Sequence, residues 1–154
     1  MPIICISGRF DPLYQSDVDY IQKIRRIGYQ LCVIILNDRQ LRLIGLEPSD
    51  TEENRLRIIR CIHHVDFAVL SCDTDTLLTK KTVELIQPDI HVYSLLDDLS
   101  IAEREDLIDH HTTHGITLEN VKHDPVFRGE PIISKDPNDR HRPASAGFSL
   151  FKSF

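Results

Sequence analysis

The chain has 154 residues, 41% hydrophobic and 27% charged, with a formal net charge of −6. That length allows one domain with a full core, and the acidic balance excludes a general nucleic-acid binder, which would carry a basic face. No apolar run is long enough to span a bilayer, and no basic region followed by a long apolar stretch opens the chain, so no membrane partner or signal peptide is expected and a cytoplasmic location is.

Residues 3–28 set the frame. Ile3-Ile4-Cys5-Ile6 is a short apolar run of the kind buried strands show. It breaks at Ser7-Gly8, and Arg9-Phe10-Asp11-Pro12 makes a turn. Val18, Ile21, Ile24 and Ile27 then recur in steps of three, one helical stripe, with Gly28 as its C-terminal cap. A strand, a glycine-containing turn and a helix form a common start for a nucleotide site, because the helix N-terminus offers unpaired N–H groups to phosphate.

Leu31-Cys32-Val33-Ile34-Ile35-Leu36 is apolar on both faces, as a central parallel strand requires. The first three elements therefore read as a right-handed βαβ unit. Residues 39–49 read as a polar loop with Gly45 and Pro48. Asp50-Thr51-Glu52-Glu53 opens a helix, with Asp50 or Thr51 as cap, and Leu56, Ile59 and Ile62 carry its spacing. Residues 65–70 form a third strand. Residues 75–87 form a helix with Leu78, Val83 and Ile86 in the core, stopped by Pro88-Asp89, and residues 90–94 form a fourth strand. Ser100 caps a helix over 100–114, with Glu103 at the capping-box position and Ile101, Leu107 and Ile108 on its apolar side. Residues 116–121 form a fifth, edge strand. This alternation predicts one α/β domain, a single Rossmann-like parallel sheet of about five strands with helices on both faces. Its ligand cleft should lie at the carboxyl ends of the strands, around residues 7–17, Asn37, Ser94 and Arg128.

From Lys122 onward the character changes. Pro125, Pro131, Pro137 and Pro143 exclude a long helix. The domain is assigned to residues 1–133 and a Pro/Ser-containing tail to 134–154. Phe148, Leu150, Phe151 and Phe154 either dock on the body of the protein or a neighbouring chain, or end a weakly ordered tail.

Cys5, Cys32, Cys61 and Cys72 form no C-x-x-C pair, so they read as reduced, structural residues. Asp106, His110 and His114 share a helix face at i, i+4 and i+8. Two histidines four apart can bind zinc, but a solvated polar face is the preferred reading, and no metal ligand is assigned. His63-His64 at a helix end is read as structural.

Gly8-Arg9-Phe10-Asp11-Pro12-Leu13-Tyr14-Gln15-Ser16-Asp17 resembles the G-x-F-D-x-x-H-x-G-H signature of the cytidylyltransferase-like nucleotidyltransferases. That family includes glycerol-3-phosphate cytidylyltransferase and the adenylyltransferase domain of ADP-heptose synthase. The resemblance covers residues 3–133. Glu53-Asn54-Arg55 resembles the family's Glu-Arg-rich helix start, Val65-Asp66 its "VD", and Pro88-Asp89 its "PD". The departures fall on the reactive residues. Tyr14 and Asp17 stand at the two histidines and Ser16 at the glycine. Ile44-Gly45 replaces the "KG" loop, with Arg42 the nearby cation. Tyr93-Ser94-Leu95-Leu96 replaces "KGGD", and Arg128-Gly129-Glu130-Pro131-Ile132-Ile133 keeps only the isoleucines of "STTxII".

By this resemblance Gly8, Arg9, Phe10, Asp11, Tyr14, Arg42 and Ser94 are nucleotide-binding positions, and Asp17 and Arg128 are the catalytic ones that remain. Arg9 either meets phosphate or closes an ion pair with Asp11 or Asp17. Asp17 either caps the first helix, the preferred reading, or joins a Mg²⁺ site. Tyr14 either stacks on a base or fills the space a histidine left, and Phe10 packs.

Two functions follow from the resemblance. One is a catalytically impaired domain that binds a nucleotide or serves as an interaction scaffold, as a homodimer with the tail as an arm. The other is an active enzyme moving CMP or AMP from CTP or ATP, with Mg²⁺, onto a phosphorylated sugar or polyol. The first is preferred because losses of phosphate-binding donors, each worth on the order of 10²–10³ in rate, fall in several motifs at once.

Overall fold

The computed structural model describes residues 1–93 and 99–121. The central strand β1 (Ile3–Gly8) leads into α1 (Gln15–Ile24), then β2 (Gln30–Ile35) and the short α2 (Asp38–Leu43). Next come α3 (Glu52–Arg60), β3 (Phe67–Leu70), α4 (Lys80–Ile86), β4 (Ile90–Val92), α5 (Ile101–Thr113) and β5 (Thr117–Glu119). The sheet order is β3-β2-β1-β4-β5 and every pairing is parallel. The predicted five-stranded parallel α/β fold is the one observed.

Strand alternation divides the core. Ile4 and Ile6 of β1, Leu31, Val33 and Ile35 of β2, and Ile90 and Val92 of β4 pack against Val18, Ile21 and Ile24 of α1 and Ile59 of α3. Cys5, Cys32 and Ile34 point the other way, onto Val83 of α4 and Ile116. Both faces of β1 and β2 are thus covered, which is why their sequences are unbroken apolar runs. All four cysteines are free thiols. Burial raises Cys32 to about 11 and Cys5 well above its ordinary value.

Asp66 and Asp89 punctuate the sheet. The carboxylate of Asp66 accepts the Leu31 N–H at 2.7 Å, and that of Asp89 accepts the Ile3 N–H at 2.8 Å. Each aspartate therefore pins the amino end of the neighbouring strand.

Several boundaries differ from the pattern reading. The Val18–Ile21–Ile24 stripe is buried, but α1 ends at Ile24 and Ile27 is 97% exposed. Arg25 already has an extended ψ of 134°, so Ile27 lies beyond the helix. The predicted 39–49 loop contains α2. Asn37 accepts the Gln40 N–H at 2.8 Å, while the Gln40 side chain accepts the Asn37 N–H at 3.0 Å, a reciprocal capping pair. The predicted 75–87 helix is only α4. Its start is fixed by buried Asp73, whose carboxylate accepts the N–H groups of Lys81 and Thr82. That leaves Thr74, Asp75 and Thr76 in a loop, the setting such side chains favour. In α5, Ser100 caps as expected and Leu107 is buried, but Ile101 is 77% exposed and the second buried side chain is His111. Among the described residues, no helix is long and apolar enough to cross a membrane.

Candidate functional site

From β1 the chain runs outward in one direction through β2 to β3, then returns to the other side of β1 at β4. In open α/β sheets ligands bind beside such a reversal, at the carboxyl ends of the strands, here those of β1 and β4. Gly8 and Arg9 leave β1 there, and Tyr93 leaves β4.

The turn after β1 is tightly specified. Phe10 is buried and has φ +50°, and the Asp11–Pro12 peptide is cis. The ring of Phe10 lies over Gly8, so closely that a Cβ on Gly8 would stand 2.7 Å from the ring. Glycine is required by this approach. Asp11 ties the turn to the start of α3: Ser49 and Asp50 each donate a backbone N–H to its carboxylate at 2.7 Å. Asp17 accepts the Tyr14 N–H at 2.8 Å and so secures the first turn of α1.

Arg55 completes the frame from α3. Its side chain is fully buried. It donates to the carbonyls of Arg9 at 2.8 Å, Leu36 at 2.6 Å and Asp50 at 3.2 Å, and pairs with Asp38 at 2.7 Å. One guanidinium thus joins the ends of β1 and β2 to the starts of α2 and α3. Its planar set of five donors suits this task, which a lysine could not match.

The sequence-nominated residues divide accordingly. Gly8, Phe10, Asp11, Tyr14 and Asp17 all belong to this one turn. Arg9 is half-buried, and among the described residues its guanidinium has no hydrogen-bond or ion-pair partner; neither Asp11 nor Asp17 pairs with it. Ser16 Oγ, at the start of α1, is buried without a hydrogen-bond partner among the described residues. Arg42 pairs with Glu47 at 3.2 Å on the surface. Asn37 donates to the carbonyls of Ser71 and Asp73 and holds the loop after β3. Ser94 and Arg128 lie outside the described residues, as does the 134–154 tail.

A second polar assembly escaped the pattern reading. Ser7 Oγ lies 2.9 Å from Nε2 of His91, and Nδ1 of His91 lies 2.8 Å from Nε2 of His111. His111 Nδ1 lies 3.2 Å from His110 Nδ1, and His110 Nε2 lies 2.8 Å from Glu84. The chain runs from the end of β1 beneath the sheet to the outer surface of α4 and α5. Burial, reinforced by the neighbouring imidazoles, lowers His91 to about 3 and His111 to about 4, so both are neutral at pH 7. Thr79 also meets Ser7 Oγ, at 3.1 Å. A signal for His91 was present: a polar residue between Ile90 and Val92, in a strand with neighbours on both sides and helices on both faces, must be buried.

Comparison with known proteins places this geometry. No protein-family model matches the chain. A FAD synthase from Methanopyrus kandleri is 31% identical over 105 residues, covering 66% of this chain and 67% of the relative. A FAD synthase from Methanolacinia petrolearia is 34% identical over 90 residues, covering 58% of each. The chain spans little more than half the length of several such relatives, 54% for that of Methanosphaerula palustris. Among solved structures, the lipopolysaccharide core biosynthesis protein from Thermoplasma volcanium superposes with a TM-score of 0.65 at 28% identity, covering 80% of this chain and 97% of that one. The chain belongs to the nucleotidyltransferase-like family that contains the archaeal FAD synthases.

Proposed function

We propose that the chain is a nucleotide-binding member of this family with impaired transfer chemistry. The observation that carries this reading is how the first turn spends its polar groups. Both oxygens of Asp11 are engaged by backbone N–H groups and Asp17 is engaged by Tyr14, which leaves Arg9 as the cation of the turn. Nucleotidyl transfer requires an acceptor phosphate oxygen to attack the α-phosphorus of a nucleoside triphosphate. The bond from that phosphorus to the bridging oxygen breaks, and pyrophosphate leaves with the electron pair. The rate depends on positioning and on cations and donors along that line. One guanidinium beside a helix N-terminus suffices to hold a phosphate. It does little for the leaving pyrophosphate, and the Asp17 carboxylate opposes bound phosphate unless Mg²⁺ lies between them.

The test is calorimetric titration with ATP and CTP, with and without Mg²⁺, beside a pyrophosphate-release assay. Saturable binding weakened about tenfold or more by Arg9→Ala, with no pyrophosphate release above background, is the expected result. Absence of binding to either nucleotide refutes it.

A second reading has its own support, the 31% identity to a FAD synthase over two thirds of its length. It makes the chain an adenylyltransferase joining AMP from ATP to flavin mononucleotide. Pyrophosphate release from ATP that depends on flavin mononucleotide, and that Arg9→Ala abolishes, selects this reading over the first.

A further inference from the structure

We propose that Glu84, His110 and His114 form a binding site for a divalent transition ion of the zinc type, set between α4 and α5. One ligand atom from each residue lies within 4.8 Å of the other two. His110 lies in the last turn of α5 and His114, four residues on, caps its C-terminus, while Glu84 faces them from α4.

The hydrogen bonding orients the rings for this role. Nδ1 of His114 is 2.8 Å from the carbonyl of His110, a contact only an N–H can make well. A neutral His114 therefore carries its proton on Nδ1 and turns the lone pair of Nε2 inward. That lone pair faces Oε1 of Glu84 at 3.7 Å. A lone pair and a carboxylate oxygen facing each other call for a cation between them. His110 presents Nε2 to the same oxygen at 2.8 Å, and its other nitrogen lies 3.2 Å from buried His111. The outer nitrogen of His114 thus has the carbonyl partner that fixes imidazole ligands on metals, whereas Nε2–H of His110, which donates to Glu84 in the free site, gives up its proton when a metal binds.

Two imidazoles and a carboxylate suit Zn²⁺, Co²⁺ or Ni²⁺, whereas Mg²⁺ and Ca²⁺ prefer oxygen ligands. Bonds of about 2.0–2.1 Å in a tetrahedron put ligand atoms roughly 3.3 Å apart. The 2.8 Å contact must widen slightly and the longest separation must shorten, both within reach of side-chain rotation. Three protein ligands leave a fourth position for water. Asp106, which shares the stripe with both histidines, is instead engaged by Lys80 at 2.6 Å. That pair joins the same two helices close by and reduces the movement that binding requires. Glu84 comes from a different helix, so spacing within α5 alone could not reveal it.

A proton shared by His114 and Glu84 is the competing cation, and direct metal binding separates the two. The full chain, stripped with a chelator, is titrated with Zn²⁺ by calorimetry and with Co²⁺ by visible absorption. The expected result is one site per chain, with the d–d bands of tetrahedral Co²⁺. Affinity should fall about tenfold or more in His114→Ala and in Glu84→Gln, since even outer partners of a metal site cost about 10–100-fold. Both positions are partly exposed, and circular dichroism checks that each variant is folded. Zn²⁺ affinity unchanged in both folded variants, or Co²⁺ without tetrahedral bands, overturns the proposal. Nucleotide binding plays no part in this test, so its outcome is separate from that of the proposed function.

Discussion

Replacing Arg55 by methionine tests whether one buried guanidinium holds the end of β1 in place. The substitution keeps much of the side-chain volume, so the loss is mainly polar. It removes one ion pair, to Asp38, and three bonds to main-chain carbonyls. Breaking a buried ion pair from one side costs about 3–5 kcal/mol. Asp38 is one-fifth exposed, so water recovers part of its charge and the lower figure applies. The Leu36 carbonyl sits in a buried residue and loses a donor, adding about 1–3 kcal/mol. The sum is about 4–6 kcal/mol, a large share of the 5–15 kcal/mol typical of a domain. With a urea m-value of about 2 kcal/mol per molar, the unfolding midpoint should fall by about 2–3 M.

Two companions locate the loss. Asp38→Asn in the Arg55→Met background should recover at most the ion-pair share, about 2–3 kcal/mol, because the stranded carbonyls remain. Arg55→Lys should stay well below wild type, since an ammonium cannot reach carbonyls on two strand ends at once. Amide exchange at residues 9–14 should accelerate in Arg55→Met beyond the change caused by an equally destabilising core variant. A loss under about 1 kcal/mol, or full recovery on removing Asp38, would refute the reasoning.

Gly8→Ala puts a methyl 2.7 Å from the Phe10 ring and should cost about 1–3 kcal/mol by urea unfolding, with partial recovery in Gly8→Ala/Phe10→Leu. Asp11→Asn presents an amide where two backbone N–H groups donate, and should cost about 2 kcal/mol or more by the same measurement. His91 is held neutral down to about pH 3 in the folded chain, whereas it titrates near 6.5 when unfolded. Below pH 6.5 the unfolded state binds the extra proton, so this contribution is complete above that pH and is lost as pH falls toward 3. The slope attributable to His91 is about 1.4 kcal/mol per pH unit. His91→Gln should flatten the stability profile between pH 6 and pH 4 (about two units of that window), and an unchanged slope would count against the buried neutral imidazole.

The fold was legible where one physical requirement governed a whole segment. An unbroken apolar run such as Leu31-Cys32-Val33-Ile34-Ile35-Leu36 fits few places besides the middle of a parallel sheet. The alternation of such runs with helical stripes fixed the architecture. Boundaries were harder because they depend on single hydrogen bonds. The carboxylate of Asp73 sets the start of α4 from seven residues upstream, and no local periodicity reports that. The missed α2 had a local signal in Asn37 and Gln40, a capping pair at the required spacing.

The site was legible by position and much less by role. Asp11 and Asp17 fall in the nominated turn, but their partners are backbone N–H groups, from a distant loop for Asp11 and from the turn itself for Asp17. Which N–H an aspartate meets depends on folded distance. The helical spacing puts Leu56 with Ile59 and Ile62 on the buried stripe, whereas in the structure Arg55, four residues before Ile59, is the buried one. A buried charge must find partners, and Arg55 finds them on the ends of β1 and β2 and at the starts of α2 and α3. The histidines obey the same rule. His91 and His111 each occupy a core position, one by strand alternation and one on the Leu107 face of α5, and two buried imidazoles satisfy each other with a single 2.8 Å contact. Polar residues at core positions are therefore the most informative residues in this sequence: each implies a partner across the fold. Followed outward from Ser7, those partners lead from the turn after β1 to the cluster of Glu84, His110 and His114 on the far surface.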